Sequence, residues 1–297
     1  MLKITIPNNN IAERKYILDI IFDEFLGLEY KVEARREKGE GDWEIELENG
    51  SKIIFEDHFF NKYVNNLEYL KLENIPSKVE FAQNQFIVEN NIPVIYGNSK
   101  LETKNDELET KNQKLKTIIC GIDIFASCFF MLTRWEEYVN KNRDKHDRFS
   151  ATESLAYKNG FLDRPIVNEY IEMLKNMLLE LGLIQKLKTR NYQLFVSCDV
   201  DQPYDCTVEN LQNLIRVGAG DILKRKRIKE FAKRVRRYIF NKLGNYKYDE
   251  NYTFPWYMDI CEKAGTKAAF YFIPTSKEVQ NGCYELKDKK IQNLLKY

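Results

Sequence analysis

Apolar residues Ile17, Ile20, Ile21 and Phe25 recur at helical spacing and stop at Gly27, which predicts an amphipathic helix near the start of the chain. Asn10 with Glu13 has the spacing of a capping box at its head. The period then changes to two. Trp43-Glu-Ile-Glu-Leu-Glu alternates, Asn49-Gly50 breaks the run, and Lys52-Ile-Ile-Phe55 resumes it, which predicts a hairpin. Ile92-Pro-Val-Ile-Tyr96 reads as a further strand, so residues 1–97 form an N-terminal α/β region.

Residues 98–117 are polar, and Leu-Glu-Thr-Lys-Asn occurs at 101–105 and again at 108–112. Two copies of a seven-residue duplication are too few for a coiled coil, so the segment is expected to be a solvated polar loop. Residues 118–190 read as mostly helical. One helix is expected over Ile122 to Val139, with Phe125, Phe129, Leu132 and Trp135 as a core stripe. A second starts at Pro165 and carries Val167, Tyr170, Ile171, Leu174, Leu178 and Leu181 as far as Gly182. A lysine-bearing loop over 185–191 marks a domain boundary.

The second domain, 191–297, opens with Tyr192-Gln-Leu-Phe-Val-Ser-Cys198, a run expected to be a buried strand, followed at once by Asp199-Val200-Asp201. Pro255 starts a helix that stops near Gly265, and Lys267-Ala-Ala-Phe-Tyr-Phe-Ile273 reads as a second buried strand closed by Pro274. Strand, helical connection and strand make a βα unit. Period two puts Asp199 and Asp201 on one face at the C-terminal tip, where α/β folds build their sites. Two like charges that close need a metal ion, a shared proton or solvent. The same spacing serves as a phosphatase nucleophile motif, but Pro203 stands where that motif has threonine. It also holds metal and diphosphate in nucleotide-sugar glycosyltransferases, but no nucleotide-binding half is evident upstream.

Composition narrows the classes. Hydrophobic residues at 43% and charged residues at 31% describe an ordinary globular chain, and a net charge of +1 argues against a globally basic nucleic-acid binder. The six cysteines lack any C-x-x-C pair and are expected to be reduced thiols. No secretory signal is visible at the N-terminus, and the apolar stretch 118–132 is too short to span a bilayer. The expected location is cytoplasmic. His58 and His146 are expected to be ordinary surface or packing residues.

Phe195-Val-Ser-Cys-Asp199-Val-Asp201, a helix, and then Ala268-Ala-Phe-Tyr-Phe-Ile273 together resemble the start of a polysaccharide deacetylase (NodB-homology) domain. Leu132-Thr-Arg-Trp-Glu-Glu-Tyr138, Asp147-Arg-Phe149 and Phe161-Leu-Asp-Arg-Pro165 resemble the accessory domain that precedes it in a bacterial subgroup associated with surface-polysaccharide loci. The resemblance covers roughly 90–297. It implies an irregular (β/α) barrel that hydrolyses N- or O-acetyl groups on a sugar or polysaccharide precursor. It also implies a divalent metal, commonly zinc, with Asp199 as general base and Asp201 as metal ligand. Val200 separates the two aspartates, which are adjacent in most of the family. The family's H-x-x-x-H pair has no counterpart, because no histidine follows His146. The barrel is therefore expected to be incomplete and this polypeptide inactive. The alternative is a non-catalytic relative that binds glycan, membrane or a partner.

Residues 222–243 hold ten Lys or Arg against one acid, Glu230, with Ile228, Phe231, Val235 and Ile239 as an apolar face. This basic helical insertion has two open readings: a solvated excursion across the barrel mouth, or a helix drawn to an anionic membrane surface. No recognisable nucleic-acid reading module is present.

Overall fold

The computed structural model describes residues 1–36, 41–63, 65–89, 91–110, 113–185, 187, 194–273 and 284–296. The fold is mixed α/β, and the chain divides into two compact units, Met1–Arg190 and Asn191–Tyr297.

The first unit is built on a six-stranded sheet with strand order β2-β1-β3-β4-β8-β7. Its strands are β1 (Leu2–Ile6), β2 (Tyr30–Ala34), β3 (Trp43–Glu46), β4 (Lys52–Phe55), β7 (Gly97–Thr110) and β8 (Gln113–Ile122). β5 (Glu80–Ala82) and β6 (Ile92–Val94) form a separate antiparallel pair. The β3–β4 hairpin turns where Asn49-Gly50 predicts, with Gly50 at φ 86° and the Leu47 amide donating to the Ser51 carbonyl at 2.9 Å. Helix α1 (Ile11–Leu18) continues as a π-helix over Asp19–Leu26 and stops at Gly27, φ 62°. The capping box does not form. Asn10 is itself left-handed at φ 45° and sends its side-chain amide to the Tyr63 carbonyl at 2.7 Å.

Residues 98–110 and 113–117 are not a loop. They lie within the antiparallel β7–β8 ribbon, whose register runs from Gly97↔Ile122 to Thr110↔Gln113 with irregularities on the way. Over 98–105 successive side chains are exposed or half-exposed on both faces, so the polar composition there reports solvent rather than lack of structure.

The helix expected over 122–139 is two helices, α2 (Ile124–Thr133) and α3 (Trp135–Val139), broken at Arg134, which is left-handed at φ 53°. Its aromatic stripe is core as expected: Phe125 stacks on Trp43 at 4.5 Å, and Phe129 and Trp135 are buried. After the single turn α4 (Leu155–Lys158), α5 (Ile166–Glu180) buries Tyr170, Leu174 and Leu178 and ends before Gly182, φ 83°.

The second unit holds two parallel strands, β9 (Val196–Val200) and β10 (Ala268–Phe272). Between them come α6 (Leu211–Ala219), a π-helical turn over Gly220–Lys224, α7 (Ile228–Lys242) and α8 (Phe254–Lys263); α9 (Lys289–Leu294) follows. Neither strand is the buried one expected. Phe195 is exposed, the side chains of β9 alternate, and β10 is half-buried with Tyr271 exposed. A two-stranded sheet covers one face and leaves the other open. No closed barrel occurs among the described residues.

Cys120, Cys128, Cys198 and Cys261 are free thiols, but Cys206 is disulfide-bonded, which overturns the expectation of uniformly reduced cysteines. Spacing along the chain carries no information about which thiols the fold brings together. Among the described residues no helix is long and apolar enough to cross a membrane.

Candidate functional site

Asp199 and Asp201 stand at the C-terminal end of β9, both exposed, with the buried Val200 between them. Val200 packs in a small core with Tyr204, Phe254, Tyr284, Ile291 and Leu294, and the strand's alternation turns Asp199 to the opposite face. Asp199 lies opposite Tyr271 of β10 in the parallel register. The pair of strands is tied at this end by Tyr284, whose buried hydroxyl donates to the Val200 carbonyl at 2.6 Å and accepts from the Ile273 amide at 2.8 Å. Burial raises the Tyr284 phenol above its ordinary pKa; the Ile273 amide opposes this, and the charge of Asp201 adds to it.

The segment after Asp201 is held from below. The Asp205 amide donates to both carboxylate oxygens of Asp249, at 3.1 and 3.0 Å, and the Asn241 side chain donates to Asp249 at 2.6 Å. The Asp205 carboxylate takes Arg237 from α7, and Arg237 also donates to the Tyr248 carbonyl at 3.1 Å. Burial pushes the Asp205 carboxyl up, but hydrogen bonds from Thr207 and Arg237 outweigh it, so the group sits below the usual carboxylate range. Tyr204 stacks on Tyr252 at 5.6 Å beneath this loop.

The donor set at the strand tip does not make a zinc site. Two carboxylates are present, hydrolytic zinc sites use three protein ligands, and no group of three or more potential ligands exists among the described residues. The histidines cannot be recruited as a pair. His58 Nε2 lies 3.0 Å from Glu56 and 3.2 Å from the Asn98 amide, and His146 sits in an exposed turn closed by Asp144. What the two aspartates can do by themselves is accept protons and hydrogen bonds from a polar ligand at an open surface. Among the described residues of this unit are two hollows that neither Asp199 nor Asp201 lines. One is an apolar groove of about 730 Å³ along β10 and α8, lined by Phe254, Met258, Phe270, Phe272 and Leu294. The other, of about 360 Å³, is polar and lined by Tyr204, Asp205, Asn241, Lys242 and Lys290.

Two polar clusters have no local signature in the sequence. Tyr284 and the Asp205–Arg237–Asp249 network join residues tens of positions apart; the only sequence signal for the network was the excess of cations on a helix with few acids of its own. In the first unit Arg14 is fully buried, pairs with Asp57 and lies over the Trp43 ring at 4.5 Å. Asp57 in turn accepts the Phe60 amide at 3.0 Å. Asp123 caps α2 through the Ala126 amide at 3.0 Å and accepts the His58 and Phe59 amides at 3.0 and 3.2 Å. Burial, then the charge of Asp57, pushes the Asp123 carboxyl up to about 7. Every carboxylate contact here ties the first helix, the segment after β4 and α2 together, which is a structural role.

No curated protein and no solved structure matches the chain. The family model described as "Family of unknown function (DUF7033)" matches residues 2–183, more than half of the chain and nearly all of the first unit. The chain belongs to the DUF7033 family.

Proposed function

We propose that residues 191–297 are the opening βα unit of a NodB-type (β/α) barrel, and that the protein's role is metal-dependent hydrolysis of N- or O-acetyl groups on a sugar in the making of a bacterial surface polysaccharide. Asp199 is assigned as general base and Asp201 as metal ligand, zinc being the metal the resemblance implies. The observation that supports this reading is the parallel β9–β10 pair, joined through helices, with both aspartates open at the C-terminal end of β9. The described residues do not complete a metal site.

One feature favours a second reading, a non-catalytic glycan- or partner-binding protein: no histidine follows His146 in this chain. The two readings separate on the 297-residue polypeptide and on a form of it extended by an H-x-x-x-H segment. Metal analysis after dialysis, with acetate release from acetylated amino-sugar oligomers, should find neither stoichiometric zinc nor turnover in the chain as given. Stoichiometric zinc with turnover there would refute the assignment of an incomplete site. Absence of both in a form extended by H-x-x-x-H would refute the deacetylase reading itself.

A further inference from the structure

Helix α7 is turned inside out. Its protein-facing side is ionic: Arg237 is buried on Asp205, and Arg234 pairs with Asp221 at 2.9 Å. Asn241 holds Asp249 on the same side. Its solvent side is aliphatic. Ile228 is 70% exposed, Ile239 49% and the helix-ending Leu243 75%, with Ala232 exposed and Val235 half-buried between them. Positions 228, 232, 235, 239 and 243 follow one another at the spacing of a single helical stripe. Of the apolar face expected from the sequence, Phe231 alone lies clearly to one side, its ring against Gly218 of α6.

The same geometry sorts the cations. At about 100° per residue, Lys229, Lys233 and Arg236 line one flank of the stripe and Lys242 the other. Lys224, Lys226 and Arg227 precede the helix and are exposed. The one acid of the segment, Glu230, is taken up by Lys233 at 3.0 Å. A solvated excursion would place the aliphatic residues inward, whereas here Arg234 and Arg237 face inward and the aliphatic stripe faces out.

We propose that the outward face of α7 docks on an anionic lipid surface, with Ile228, Val235, Ile239 and Leu243 seated among the acyl chains just below the head groups and the flanking lysines on the phosphates. The charge pattern selects this occupant. Two copies of the stripe would bring like-charged flanks together, and a nucleic-acid backbone has no use for a row of aliphatic side chains. A helix lying in the interface needs an apolar stripe bordered by cations on both sides.

The test is flotation of the full chain with vesicles of phosphatidylglycerol in phosphatidylcholine, against phosphatidylcholine alone. Binding is expected only to the anionic vesicles and should fall steeply with salt. Ile228→Ser and Ile239→Ser, at exposed positions, should each weaken partitioning by about tenfold with the circular dichroism unchanged. Lys229→Gln should weaken it by about fivefold. Absence of binding to anionic vesicles at low ionic strength would overturn the proposal. So would binding that ignores the isoleucines and follows charge alone. Isoleucine-dependent self-association without vesicle binding would assign the stripe to a second copy instead.

Discussion

Arg237 closes on Asp205 from the protein-facing side of α7, and this pairing joins the helix to the loop that follows Asp201. Both side chains are nearly buried, at 10% and 11% exposure, and Arg237 reaches Glu250 at 2.5 Å as well. A cation that would read as surface charge in the sequence is therefore part of the second unit's interior.

Removing Arg237 should show this. Arg237→Ala removes the nearest cation from the Asp205 carboxylate, leaving it Thr207 and the more distant Arg234 at 3.9 Å, and is expected to destabilise the second unit by about 3 kcal/mol. Arg236→Ala, which removes a guanidinium lying over the Tyr248 ring at 3.5 Å on the exposed side, should cost under about 1 kcal/mol. Urea unfolding of the two variants gives the comparison, and equal losses would place Arg237 at the surface.

Tyr284→Phe keeps the ring in the small core and deletes the hydroxyl that ties Val200 to Ile273. Two backbone groups lose their partner, at a cost of about 1–2 kcal/mol. Amide hydrogen exchange at Ile273 should accelerate while exchange within α8 changes little. An unaltered rate at Ile273 would mean the phenol is not its acceptor.

The first unit should carry the greater share of the stability. Its core is continuous from Leu2 to Leu181, whereas among the described residues the main cluster of the second unit buries Val200, Tyr204, Phe254, Tyr284, Ile291 and Leu294. Limited proteolysis is expected to digest the second unit first and to leave a fragment ending near residue 190. Equal protection of both units would contradict the difference in burial.

Asp123 sets a pH dependence on the first unit. Its carboxyl rises from 3.8 to about 7 in the folded state, through burial first and the charge of Asp57 second. The folded protein keeps a proton that the unfolded chain has released, so the stability this proton contributes is full below about pH 4 and is lost as pH rises towards about 7. The slope is at most about 1.4 kcal/mol per pH unit. Asp123→Asn loses amide contacts but also loses the slope, so the gap in unfolding free energy between wild type and variant should shrink from about pH 5 to about pH 7. A constant gap would show that Asp123 is ionised throughout.

Elements whose code is local were legible in the sequence. Asn49-Gly50 between alternating runs marked the β3–β4 hairpin, and the period of Tyr170, Leu174 and Leu178 marked α5, because turn chemistry and amphipathic spacing act over a few residues. The β7–β8 ribbon was not legible, since a strand wetted on both faces loses the alternation that identifies it. The first-unit cluster of Arg14, Asp57 and Asp123 spans more than a hundred positions, and no short window contains it. At the candidate site, the position of Asp199 and Asp201 at a strand end was readable from the apolar run before them. Tyr284, more than eighty residues away, was not. On α7 the aliphatic positions were visible, but which side of the helix meets the protein depends on Asp205, Asp221 and Asp249, and helical period alone does not say which face turns inward.

The most direct test of the roles proposed for Asp199 and Asp201 is metal content measured beside acetate release, on the form extended by an H-x-x-x-H segment and on its two alanine variants. Asp201→Ala should lose both metal and turnover, because a ligand is removed. Asp199→Ala should retain the metal and lose turnover, because a base is removed and a ligand is not. Variants that keep both properties, or that lose metal equally, would contradict the division of roles between the two aspartates.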